Sequence, residues 1–192
     1  MELPLKESSP QKWVETVLDN FPNFILDHAA CERKAAALAM SFVAKYSDRK
    51  ALIEPMVSLA REELEHFQQV YKIIFKMGLE LSPVDEKDPY VNIILKQLRH
   101  GRDERLLDRL IMSGIIEARG YERFRLIAEN LDEPNLKDFY QKLSKCEAGH
   151  YAIFIKLAHF YFPREDVLTT IDRISIIESE AMLKVPIRAT LH

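Results

Sequence analysis

Helix breakers cut this chain into a few long uninterrupted runs, and their positions limit the fold more than any other feature. Between Pro22 and the Ser47-Asp48 turn lies a run from about Asn23 to Tyr46, helix A. Helix B covers roughly Arg49 to Met77 and ends at Gly78, a C′ residue in kind, with Pro55 expected to kink it near its start. Helix C runs from about Arg102 to Asn130, and helix D from Asp132-Glu133-Pro134 to about Phe162, where Pro163 stops it. Shorter helices flank them. One follows the Ser9-Pro10 cap to about Asn20, one spans Pro89 to about Arg99, and a last one spans Arg164 to Lys184 before Pro186. With only five glycines in 192 residues and few β-branched runs, helix is favoured over a sandwich or barrel.

The A–B and C–D links are short, so each pair is expected to form an antiparallel hairpin, whereas the B–C link is long. That predicts an all-α, ferritin-like four-helix bundle with one long crossover between helices B and C, plus flanking N- and C-terminal helices, as a single domain over residues 1–192. The segment Leu79 to Pro89, with its prolines and alternating charge, reads as a connection. A net charge of −3 supplies no global basic field for nucleic acid, so any such binding must be local. Cys31 and Cys146 form no CxxC pair and read as small core residues of a reduced, cytoplasmic protein. No export signal or membrane-spanning run is expected.

Within this frame, REELEHF (61–67) and CEAGHY (146–151) repeat one spacing: Glu63 with His66, and Glu147 with His150. Residues three apart share a helix face, so each pair can reach one metal ion. A di-metal bundle asks for two such pairs plus one Glu from each of the other helices. Glu32 on A and Glu117 on C lie on small or apolar stripes. Glu63 follows Glu32 by 31 residues and Glu147 follows Glu117 by 30, so in hairpins all four fall at one depth. Asp27 and Glu122 fit this register less well. Two divalent cations would cancel four carboxylate charges, and carboxylate-rich sites with one nitrogen per ion suit iron or manganese better than zinc. His28 sits one turn before Glu32 as a hydrogen-bonded neighbour, Glu62 and Glu65 face solvent, and Tyr121 and Tyr151 are core aromatics in reach of the site.

HAACERKAA, REELEHF, GIIEARGYERF and CEAGHY resemble the tRNA hydroxylases of the MiaE family, over nearly the whole chain from about Trp13 to Pro186. The resemblance implies hydroxylation of the isopentenyl group of 2-methylthio-isopentenyl-adenosine beside the anticodon. It carries over Glu32, Glu63, His66, Glu117, Glu147 and His150 as ligands of two Fe ions, with O2 as co-substrate. It implies a tRNA substrate and a monomer or dimer. The absence of a CxxC pair removes a rubredoxin-like module, so electrons must come from an external donor protein of the ferredoxin or reductase type. Phosphate contacts are expected from Arg99, Arg102, Arg105 and Arg109, which share a face if the helix is continuous, and from Arg119, Arg123 and Arg125 on helix C. Two other readings compete: an iron-oxidising or peroxide-detoxifying ferritin-like protein, and a non-catalytic bundle with surface acids.

Overall fold

The computed structural model describes residues 3–84 and 88–192, and its described residues form seven helices. In order these are α1 (Gln11–Asp19), α2 (Phe21–Lys45), α3 (Lys50–Lys76), α4 (Pro89–Leu95), α5 (Arg102–Asn130), α6 (Pro134–Tyr161) and α7 (Arg164–Lys184). The long helices A to D are α2, α3, α5 and α6. The charges at 85–87 that marked part of the crossover lie outside the described residues. The chain divides into two compact units: residues 3–14, 88–187 and 192, and residues 15–84 and 188–191.

In the second of these, α2 and α3 pack against each other as a hairpin. α2 buries Phe24, Ile25, Ala29, Ala36, Ala39 and Phe42, and α3 buries Leu52, Met56, Leu59, Ala60, Val70 and Ile74. Each large side chain among them contributes roughly 1.5–3 kcal/mol by leaving water. The helix runs on through Pro55, which sits past the first turn and forfeits one backbone hydrogen bond. Gly78 ends α3 at φ +69°, with its N–H donating to the Phe75 carbonyl and that of Leu79 to the Ile74 carbonyl. This is a Schellman-type close, and it needs the left-handed backbone that glycine takes without penalty.

In the other unit, α5 and α6 form the main hairpin, with α7 packed on α5 and α4 on α7. Glu133 caps α6 by accepting from the N–H groups of Asn135 and Leu136, and Pro134 occupies the first turn. α4 is shorter than its sequence suggests. It stops at Leu95, and beyond it the Arg99 N–H donates to the Asp108 carboxylate at 2.8 Å, a bond that replaces a helical one.

α5 is buried on nearly every side, including charged residues. Arg119, fully buried, donates from Nε to Glu178 at 2.9 Å, pairs with Glu122 and reaches the Glu7 carbonyl at 2.9 Å. Glu122 accepts from both the N–H and the hydroxyl of Ser9, each at 2.8 Å, and Tyr90 donates to Glu178 at 2.8 Å. Arg123 donates to the Ser9 hydroxyl at 3.1 Å and lies 4.6 Å above the Trp13 ring. Burial opposes the Arg119 charge, yet Glu178, Tyr90 and Glu122 outweigh it and raise its pKa. Burial and neighbouring Arg119 push Arg123 down to about 10, so it stays charged at neutral pH. Among the described residues no helix is long and apolar enough to cross a membrane.

Breaking a buried ion pair strands a charge at a cost of about 3–5 kcal/mol. Arg119→Ala should therefore lose stability on that scale in chemical denaturation, and a loss below about 1 kcal/mol would show that the network carries little stability.

Candidate metal centre

Each hairpin gathers one triad of metal-capable donors. On the α2–α3 hairpin, Glu32, Glu63 and His66 bring one ligand atom each to within 4.8 Å of one another. His66 Nδ1 lies 3.3 Å from a Glu63 oxygen and 3.8 Å from a Glu32 oxygen. On α5–α6, Glu117, Glu147 and His150 converge to the same limit, with His150 Nδ1 3.3 Å from Glu147. All six residues are buried, none more than 9% exposed. The i, i+3 spacing on α3 and α6 turns each Glu and His to one face, and the hairpin partner supplies the third donor.

The donor chemistry fits one divalent ion per triad. Two carboxylates side by side out of water are costly unless a cation compensates them, and an imidazole supplies a neutral nitrogen ligand. His28, wholly buried, holds its Nε2 2.6 Å from the Glu32 carboxylate, as its position one turn upstream suggested. Its ring fixes which way Glu32 points. Glu62 and Glu65 are exposed. Asp27 and Glu122 are engaged elsewhere. Asp27 accepts from the Leu191 N–H at 2.7 Å and from the Cys31 thiol, and Glu122 belongs to the Arg119 network. Cys146 is exposed and Cys31 half-buried, so neither is the core residue expected from the sequence. Tyr151 is half-buried, and burial pushes its hydroxyl pKa up.

The arginines divide differently from their sequence pattern. Arg109, Arg119 and Arg123 are buried, at 6%, 0% and 5% exposure, and the last two are held in the internal network. Arg119 and Arg123 thus direct their charge at partners inside the protein. Arg99 lies ahead of α5, which starts at Arg102, so the four-arginine face does not form. Arg99 donates to the buried Asp108 carboxylate, as does Arg173, and Arg105 donates to the Arg99 carbonyl at 3.1 Å. Arg102 and Arg125 are exposed, and Arg125 pairs with Glu129. Glu178 and Tyr90 went unnoticed in the sequence and Ser9 was read only as a helix cap, because no local pattern ties them to Arg119.

Residues 2–192 match the family described as tRNA-(MS2IO6A)-hydroxylase (MiaE). The chain belongs to the MiaE family. It is 37% identical over 172 residues to the tRNA 2-(methylsulfanyl)-N(6)-isopentenyladenosine(37) hydroxylase of Pseudomonas putida, covering 90% of this chain and 83% of that one. It is 28% identical over 224 residues to the Salmonella typhimurium protein of the same name, covering 91% and 82%. Among solved structures it resembles Protein 43 from Synechococcus, described as having aldehyde deformylating oxygenase activity. The TM-score is 0.93 and the identity 34%, with 98% of this chain and 94% of that chain covered. Helix content, helix order and this likeness identify a ferritin-like all-α fold in a MiaE-family oxygenase.

At Asp108, burial works to raise the carboxyl pKa, but hydrogen bonds from Arg99 and Arg173 prevail and hold it below its ordinary value. Its ion pairs therefore stabilise the fold fully above about pH 4 and are lost as pH falls through the depressed value. Asp108→Asn should lower stability at neutral pH and flatten the acid limb of a urea-denaturation series. An unchanged acid limb would assign that titration to other groups.

Proposed function

We propose that this protein is an O2-dependent di-iron monooxygenase that hydroxylates the isopentenyl group of 2-methylthio-isopentenyl-adenosine in tRNA. The observation that carries this reading is the whole-chain family match combined with two buried Glu/Glu/His triads. Glu32, Glu63 and His66 would hold one iron and Glu117, Glu147 and His150 the other. When bound, the iron pair supplies the activation of O2 and the oxidation of an unactivated C–H bond. The chain's own contribution is electrostatic and positional. Four glutamates neutralise two divalent charges, the two imidazoles add nitrogen ligands without charge, and His28 orients Glu32. Their burial excludes bulk water from the donors. Electrons come from an external ferredoxin- or reductase-type protein. The protein works in the cytoplasm, where tRNA is modified, as a monomer or dimer.

A second reading has a specific support in the likeness to the Synechococcus protein, which is described as having aldehyde deformylating oxygenase activity. The deciding experiment gives ferrous-loaded protein O2, a reductant and tRNA carrying the methylthio-isopentenyl nucleoside, then digests the tRNA for mass spectrometry. Gain of one oxygen on that nucleoside is expected. No gain, with formate released from an aliphatic aldehyde instead, would transfer the assignment to the second reading.

Glu63→Ala and His150→Ala should each lose iron and activity while retaining helical circular dichroism. His28→Ala should weaken iron binding by about 10- to 100-fold, the usual effect of removing a residue that orients a ligand. Full iron occupancy in the first two variants would refute the ligand assignment.

A further inference from the structure

Arg109, Arg119 and Arg123, three of the seven arginines expected to meet tRNA, are withdrawn from the surface, and a chain of net charge −3 needs a local cationic surface. The α2–α3 unit contains one of the right kind. A cleft of about 540 Å³ is bounded by the end of α1, the first turns of α2, residues 81–84 and the C-terminal residues 188–190. That volume lies in the range of small-molecule sites and can admit a nucleotide-sized group.

Three cations line the cleft: Arg33, Lys34 and Arg188. All three are half-buried, so their charges stand beside a concave wall rather than out in bulk water. Arg33 is steadied, its guanidinium lying 5.6 Å from the Phe67 ring centroid. Among the described residues that line the cleft the one acid is Asp27, which accepts the Leu191 N–H at 2.7 Å and thereby ties the C-terminal segment to α2. Three cations against this one carboxylate give the described lining a net positive charge. Asn20, Asn23, Thr16 and Thr190 add neutral amides and hydroxyls, the groups that hydrogen-bond phosphate and ribose oxygens. Leu26, Ala30 and Ala189 give an apolar patch against which a base or sugar can rest.

We propose that this cleft is a phosphate-contact site for the tRNA backbone, in which Lys34, Arg33 and Arg188 engage phosphates of a nucleotide. The inference rests on the tRNA reading above and deepens it. It replaces the α5 arginines with a surface formed by the N-terminal turns of α2 and the C-terminal segment. Arg33 follows the triad residue Glu32 by one position, so the same helix that supplies a metal donor presents a phosphate contact next to it in sequence. The carboxylate-anchored C-terminal segment, carrying Arg188, forms one wall of the site rather than a loose end.

The test uses the full iron-loaded protein. Lys34→Glu with Arg188→Glu is compared with wild type, with Arg102→Glu/Arg105→Glu, and with Lys142→Glu/Lys184→Glu as a charge-matched control at exposed positions on α6 and α7. Fluorescence anisotropy with labelled tRNA gives the dissociation constant across a salt series, and iron content and circular dichroism report integrity. The cleft variant should bind tRNA on the order of tenfold more weakly, with the salt slope reduced by about 1–2, iron content intact and the control near wild type. Wild-type affinity and slope in the cleft variant, while wild type binds and hydroxylates tRNA, would overturn this inference alone. Equal weakening in the charge-matched control would also overturn it, since the effect would be general charge. Wild-type protein that neither binds nor hydroxylates the tRNA would instead overturn the tRNA reading on which it rests.

Discussion

Charge removed from water on helix α5 sets the terms for the unit built around it. Asp108, Glu117, Arg119, Glu122 and Arg123 are all buried on this one helix. An unpaired buried charge costs several kcal/mol, so every segment that packs on α5 must bring a partner. The N-terminal segment brings Ser9, α7 brings Glu178 and Arg173, and the turn before α5 brings Arg99, while Tyr90 of α4 donates to Glu178 behind them. The flanking helices are thereby fixed to the hairpin by charge as well as by apolar packing. Glu117 is the exception in kind. It lies with Glu147 and His150, and a cluster of that chemistry can be compensated by a metal ion.

The two parts of α5 therefore solve the same electrostatic problem by different means. Around Arg119 the cation belongs to the chain, and the carboxylates of Glu122 and Glu178 converge on it. Around Glu117 the carboxylate of Glu147 and the imidazole of His150 converge, a donor set that can hold a metal ion. This separates a structural cluster from a functional one without appeal to similarity. It also explains why Glu122, though acidic and only five positions from Glu117, is no candidate ligand.

Helix order and the two hairpins were legible in the sequence because they rest on local signals, as does the i, i+3 spacing of the Glu and His residues that lie in the buried clusters. Pro134 and Pro163 delimit α6, Gly78 closes α3 with the positive φ its type permits, and the i, i+3 spacing holds whatever the tertiary context. The errors concern charges whose partners are remote. Arg119 and Arg123 follow a pattern that usually marks a solvated face, but Glu178 lies 59 residues from Arg119 and Ser9 lies 114 from Arg123. The end of α4 was misplaced for the same reason, since the Asp108 carboxylate that captures the Arg99 N–H belongs to the next helix. Sequence periodicity assigns faces, but it cannot say which charged face is covered.

Two glycines on α5 show how backbone proximity serves the chemistry. A Cβ at Gly114 would sit 3.3 Å from the Phe154 Cβ and 3.5 Å from the Tyr151 ring, closer than a packed side chain ordinarily tolerates. At Gly120 the same atom would come within 4.0 Å of a Glu147 carboxylate oxygen, ordinary contact but against the donor itself. Gly114 and Gly120 bracket Glu117, so α5 approaches α6 closely on either side of the one residue that must meet Glu147 and His150. The helix propensity forfeited is roughly 1 kcal/mol per glycine relative to alanine. α5 can carry that cost because its length is held by burial and ion pairing rather than by intrinsic preference. The short α5–α6 approach and the charge network are thus linked: the network stabilises a helix whose composition has been weakened where the donors need to meet.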